Sequence, residues 1–264
     1  MKKRALCIGI NNYPGTGSDL SGCVNDANDW KAELQKRGYD VVTVLDAAAT
    51  RDNIVAQLKT LLQGASDGDS LVVTYSGHGS WLPDADGDES DGRDEMLCPY
   101  DINRQHYLTD DVLASIFAQK PQGARLFFVS DSCHSGTVTR FAPDPLGGDD
   151  AAYRRARLLP PEQFVTDENV LRNIRRLSEA RSSSRQKYPA LLLAGCKDVE
   201  VSYDASFNGR PNGALTRVAL DALKSNPSSY LKWYELIRKK LPSPSYPQTP
   251  QLYGKKADKN GSLF

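Results

Sequence analysis

Long apolar runs are scarce in this 264-residue chain. The basic start MKKR leads into an apolar run of only Ala5 to Ile10, too short for a signal-peptide core, and no later stretch approaches a membrane span. A soluble, cytoplasmic protein is the expectation. Cysteine is also sparse: Cys7, Cys23, Cys98, Cys133 and Cys196 are odd in number, scattered, and form no CxxC pair. That argues against a disulfide framework or a structural zinc site. Charge of one sign is missing too. Lys plus Arg and Asp plus Glu stand at 33 each, so no global field recruits nucleic acid or an anionic membrane. No internal repeat or low-complexity tract is present.

What is there is an alternation. Apolar runs at Ala5 to Ile10, Ser70 to Tyr75 and Arg125 to Ser130 read as buried strands, with a further strand at Val41 to Leu45. Amphipathic segments at 23–37 and 51–62 read as helices between them. Strand alternating with helix predicts an α/β protein whose parallel sheet is covered on both faces. A helix over 110–119 starts from a Thr109 N-cap. After Gly136 the chain turns polar and basic: 153–187 holds nine Lys or Arg against four Asp or Glu. Apart from a helix near 167–179, this stretch reads as an exposed, partly mobile connection. A buried strand in YPALLLAGC follows, then helices near 213–223 and 230–239, and a short last strand in the Pro-rich tail.

Two strands end in polar, glycine-containing turns. LVVTYSGHGS delivers His78 and LFFVSDSCHSG delivers Cys133, and in open parallel sheets functional groups gather at the strands' carboxyl ends. A thiolate is a strong nucleophile, and a nearby imidazole can take its proton and later protonate a leaving amine. The amides of Gly79 and Cys133 can hold a developing oxyanion. Amide hydrolysis through a thioester is the reaction class. Cys7, Cys98 and Cys196 read as core residues. His134 is the rival histidine with a minor role, and His106 reads as an exposed loop residue.

YSGHGS followed by DSCHSG, with GINNY on the first strand, resembles the caspase-fold cysteine peptidases and most closely the metacaspases. LSGCVNDAN, DGRDEMLCPYD, LTDDVL, LLLAGC and QTPQLYG follow that family in its order across nearly the whole chain. The resemblance implies a caspase-like sandwich with a mostly parallel central sheet flanked by helices, as one domain over 1–264. Residues 1–140 are then large-subunit-like, 141–187 a basic connecting segment and 188–264 small-subunit-like, with no prodomain. It implies a monomer that cleaves protein or peptide substrates after Arg or Lys. Cys133 is the expected nucleophile, His78 the general acid and base, and no third catalytic side chain is needed. Carried over by motif, the primary pocket is lined by Cys23, Asp26, Ser76 and Asp131. Two carboxylates at its base suit a guanidinium; their bland readings are a solvated helix carboxylate for Asp26 and a turn former for Asp131.

The stretch 84–95 carries seven acidic residues and one arginine, a density that water solvates or a cation neutralises. Its sixth position in the calcium-loop frame is Glu89 rather than glycine, which excludes an EF-hand. The chemistry needs no cofactor. Calcium is the expected activator by resemblance, with Asp94, Asp110 and Asp111 as ligands, while the family's further aspartate falls on Arg140. Asp110 and Asp111 would otherwise complement a helix N-terminus. Arginines in the basic connection, among them Arg154, Arg155, Arg157, Arg175, Arg176, Arg181 and Arg185, invite self-cleavage without dissociation. Two other classes compete with the enzyme: an inert caspase-like binding module, and a calcium-responsive interaction protein.

Overall fold

The computed structural model describes residues 1–85, 87, 92–133, 154–177, 189–198 and 200–264. Its centre is a sheet built from β1 (Lys3–Gly9), β2 (Asp40–Leu45), β3 (Ser70–Ser76), β7 (Arg125–Asp131), β9 (Leu191–Ala194) and β12 (Gln251–Tyr253), in the order β12-β9-β7-β3-β1-β2. All neighbours pair in parallel except β12, which runs antiparallel to β9.

The alternation of side chains along each strand explains the continuous apolar runs. Ala5, Cys7, Val72, Phe127 and Val129 point into one core, with Trp30 and Leu34 of α1 (Cys23–Lys36), Leu215 and Ala219 of α5 (Ala214–Leu223), and Trp233 of α6 (Tyr230–Arg238). Leu6, Ile8, Val73, Leu126 and Phe128 point into the other, with Ile54 and Leu58 of α2 (Arg51–Gln63) and Leu113 and Phe117 of α3 (Asp110–Phe117). Each face is covered, and β3 is buried along its whole length. Thr50, Thr109 and Ser229 cap their helices by accepting the backbone N–H of Asn53, Val112 and Lys232, as the predicted Thr109 cap requires.

Two small sheets were not legible in the sequence. One orders β4 (Gly79–Pro83), β5 (Arg93–Leu97) and β6 (Leu108–Thr109); the other orders β11 (Arg210–Gly213), β10 (Tyr203–Phe207) and β8 (Arg154–Ala156). Their strands are short, and several are polar, so no period-2 signal marks them. The basic connection is not simply exposed, which corrects the sequence reading. Arg157, Leu159, Phe164 and Val165 are buried, and α4 (Glu168–Leu177) follows them. Among the described residues, no helix is long and apolar enough to cross a membrane.

Candidate active site

Strands β3 and β7 are neighbours, and Ser76 lies opposite Asp131. His78 and Cys133 each stand two residues beyond that pair, so the register brings both to one rim of the sheet. A glycine is needed before the histidine, because a Cβ at Gly77 would come within 2.6 Å of the hydroxyls of Tyr13 and Tyr75. Those two phenols clamp the turn. Tyr13 Oη accepts the His78 amide at 2.7 Å, Tyr75 Oη donates to the His78 carbonyl at 2.7 Å, and the Tyr13 ring lies 4.6 Å from the imidazole.

The imidazole Nε2 is 2.6 Å from the backbone carbonyl of Ser18. A carbonyl can only accept, so Nε2 carries the hydrogen and Nδ1 keeps its lone pair. Nδ1 is buried and has no hydrogen-bond partner among the described residues. Burial pushes the ring down to about 4, against the carbonyl of Ser18. The sequence carried no sign of Ser18, since its contribution is a main-chain oxygen that any residue owns.

Cys133 is fully buried. Its sulfur accepts the amide of Ser202, its thiol donates to the Ser202 carbonyl at 3.4 Å, and Cys196 packs in the same small cluster. The neighbouring Cys133 and burial push the Cys196 thiol well above its ordinary value. Read as a core residue from the sequence, Cys196 in fact borders the cysteine at the strand end.

Asp26 and Asp131, the two carboxylates expected to line the primary pocket, meet at a guanidinium of the chain itself. Arg157 is fully buried, and its Nη2 donates to Asp26 Oδ2 at 2.7 Å and Asp204 Oδ1 at 2.9 Å, while Nη1 lies 3.2 Å from Asp131 Oδ2 and donates to the Asp131 carbonyl at 3.1 Å. Each carboxylate is held from behind. Asp26 accepts Asn212 Nδ2 and the Gly213 amide, Asp131 accepts the hydroxyls of Ser202 and Thr216, and Asp204 accepts the amides of Ser21 and Gly22. A Cβ at Gly213 would overlap Asp131 Oδ2 and Arg157 Nη1, so glycine keeps the pocket open. Three buried carboxylates share one guanidinium. Burial, together with repulsion from Asp131, pushes Asp26 up to about 7 despite the attraction of Arg157.

Asp204 was missed because it lies on β10, a strand the sequence reading did not assign. Cys23 opens α1 at zero exposure, close enough to Arg157, Asp204 and Asp26 for each to act on its thiol, and burial pushes that thiol up. Ser76 is buried on β3 opposite Asp131.

The main chain around Arg157 lies across the cleft as an extended peptide. Residues 154–156 pair antiparallel with β10, and the Arg157 amide donates to the Ser202 carbonyl at 2.9 Å. The Arg157 carbonyl oxygen accepts two amides at once, from Gly79 at 3.0 Å and Cys133 at 3.1 Å. Beyond it, Leu158 bridges to Gly79 in parallel, the Leu159 amide donates to the Gly79 carbonyl at 2.9 Å, and Ser80 Oγ donates to the Leu159 carbonyl at 2.6 Å.

Two of the three metal candidates flank the pairing of β5 with β6, where Met96 lies opposite Thr109. Asp94 is buried on β5 and accepts the Ala85 amide, while Asp110 and the exposed Asp111 form the first turn of α3. No group of three or more His, Cys, Asp or Glu is arranged to hold a metal ion among the described residues. Asp86, Asp88, Glu89, Asp91, His134, Arg140, Arg181 and Arg185 lie outside them. His106 faces Asp101 through Nδ1 and is 44% exposed.

Residues 3–142 match the family described as "Metacaspase, peptidase C14 domain". The chain is 35% identical to Metacaspase-1 of Cryptococcus neoformans, over 95% of this chain and 62% of that protein. It is 33% identical to Metacaspase-1A of Aspergillus fumigatus, over 95% of this chain and 68% of that protein. The chain thus spans less than two thirds of the length of the Cryptococcus relative. Among solved structures, a Geobacter sulfurreducens protein of 28% identity matches with a TM-score of 0.74 over 99% of this chain and 98% of its own. Caspase-1 from Spodoptera frugiperda matches with a TM-score of 0.59 over 96% and 86%, at 13% identity, a likeness of fold alone.

Proposed function

The chain belongs to the metacaspase family, and from that premise we propose that it is a cysteine endopeptidase that cleaves after Arg, and more slowly after Lys. We propose further that the bond between Arg157 and Leu158 is its own first substrate. The observation that carries this reading is the seating of Arg157. Its guanidinium meets three carboxylates while its carbonyl oxygen sits between the amides of Gly79 and Cys133. That is how a substrate residue before a cleaved bond would be held.

In the proposed reaction His78 Nδ1 takes the proton of the Cys133 thiol, and the thiolate adds to the Arg157 carbonyl carbon. The oxygen becomes an oxyanion between two donors already in place, each worth about 3 kcal/mol of transition-state stabilisation in comparable sites. The C–N bond breaks as the imidazolium returns its proton to the Leu158 nitrogen. A thioester remains, and water activated by the same imidazole hydrolyses it and regenerates the thiol.

The uncut chain blocks its own cleft, so activity on other proteins would follow the cut. Cleavage replaces a neutral amide with a carboxylate and an ammonium at buried positions, which disfavours keeping both ends there. The two parts would remain together because β7 and β9 are paired in one sheet. No metal enters these steps; calcium, as an activator, would act outside this chemistry.

The test is incubation of the full chain with calcium or with chelator, followed by mass spectrometry and by assay on fluorogenic peptides ending in Arg, Lys or Asp. A break after Arg157 and turnover of Arg peptides, both lost in Cys133→Ala, are expected. Turnover of Asp peptides only would overturn the Arg reading, and turnover of none would favour an inert binding module.

A further inference from the structure

The pocket and the oxyanion donors account for what precedes the cleaved bond, but the segment stays engaged with the protein after it. Leu158 is 7% exposed and clusters with Cys133, Cys196 and Val201. Leu159 is fully buried, and both of its backbone polar groups are taken: its amide by the Gly79 carbonyl and its carbonyl by Ser80 Oγ. Ser80 is itself at zero exposure, and among the described residues its hydroxyl has this one partner. A buried hydroxyl aimed at a main-chain carbonyl two residues past the bond is placed to bind substrate.

Resting on the self-substrate reading above, we propose that the cleft also recognises the two residues after the cleaved bond. Cys196 and Val201 take an apolar side chain at the first of these positions. Gly79 and Ser80 clamp the backbone of the second, which makes Ser80 a positioning residue on the leaving side. The chemistry favours this division. The first position lies against the sulfur of Cys133 and two apolar side chains, where a charged residue would lose water without gaining a partner. At the second, the bonds go to backbone atoms and so ask for an extended peptide rather than a given side chain. Gly79 joins the two halves, since its amide faces the reacting carbonyl while its own carbonyl holds the leaving strand. A good leaving-side fit therefore also aligns the oxyanion donor.

The experiment uses the self-processed full chain and internally quenched peptides containing Arg-Arg-Ala-Arg-Leu-Leu or Arg-Arg-Ala-Arg-Asp-Leu. The same four residues on aminomethylcoumarin supply a substrate with no second leaving-side residue. Expected is a kcat/KM about tenfold or more higher for Leu than for Asp at the first position. The ratio of the Leu-Leu peptide to the coumarin substrate should fall severalfold in Ser80→Ala and recover in Ser80→Thr. In the uncut chain, Leu158→Asp should slow the break after Arg157 by a similar factor. Leu and Asp peptides cleaved within twofold of each other, with an unchanged ratio in Ser80→Ala, would overturn this proposal and leave Arg specificity standing. No cleavage of any Arg substrate would overturn both.

Discussion

The carbonyl oxygen of Arg157 lies 3.1 Å from the backbone nitrogen of Cys133, with the Gly79 amide on the same oxygen at 3.0 Å. Arg157 is thereby placed by its main chain as well as by its charge, and each contact has its own consequence.

Arg157→Lys should retain the self-cut at a lower rate, because an ammonium cannot span carboxylates that meet two separate guanidinium nitrogens. Arg157→Glu should abolish it. Arg157→Ala leaves three carboxylates buried without their cation and should lower the stability of the uncut chain by about 3 kcal/mol. Mass spectrometry reads the cut, and urea unfolding of the Cys133→Ala background reads the stability.

Asp204→Asn tests the pocket residue that the sequence did not reveal. Losing one charged partner of the guanidinium should cost about 2 kcal/mol, seen as a roughly thirtyfold fall in kcat/KM on Arg peptides. An unchanged value would remove Asp204 from the pocket.

Gly213→Ala should close the pocket without disturbing the backbone, since φ at Gly213 is −72°, a value alanine adopts freely. The added methyl overlaps Asp131 and the guanidinium site. Arg and Lys cleavage should fall about a hundredfold in steady-state assays, with a stability loss of about 1–3 kcal/mol from overpacking.

The pH dependence of stability in the uncut chain combines two opposing groups. His78, lowered to about 4, contributes stability that is complete above its unfolded value near 6.5 and is lost as pH falls toward 4. Asp26, raised to about 7, contributes stability that is complete below its unfolded value near 4 and is lost as pH rises through 7. Between pH 4 and 6.5 the two nearly cancel. A His78→Gln variant removes one of them, so its stability should rise on acidification across that window by on the order of 3 kcal/mol, at about 1.4 kcal/mol per pKa unit. Denaturant titrations at several pH values would measure this, and a pH response like that of the unsubstituted chain would refute it.

The same titration of Asp26 reaches activity. An Arg substrate binds best to the ionised carboxylate, so kcat/KM on Arg peptides should climb with pH as Asp26 loses its proton. Asp26→Asn should flatten that limb of the profile as well as lowering it.

By itself the sequence determined the strands that form the sheet's centre, the helices that cover it, and the two turns that bring His78 and Cys133 to one rim. Apolar periodicity, helix caps and glycine-containing turns are local features, and they are written in consecutive residues. The family resemblance also offered Asp26 and Asp131 as the carboxylates of one pocket, and both meet at Arg157. Only the tertiary structure decided what fills that pocket. Arg157 lay within a stretch whose basic composition reads as solvated, and nothing local distinguishes it from Arg154 or Arg155. Its burial depends on Asp26, Asp131 and Asp204 converging from a helix and strands of two different sheets. Ser18 and Ser80 were hidden for the same reason: one acts through a backbone carbonyl and the other on a backbone carbonyl, and neither partner is legible until the chain has folded around it.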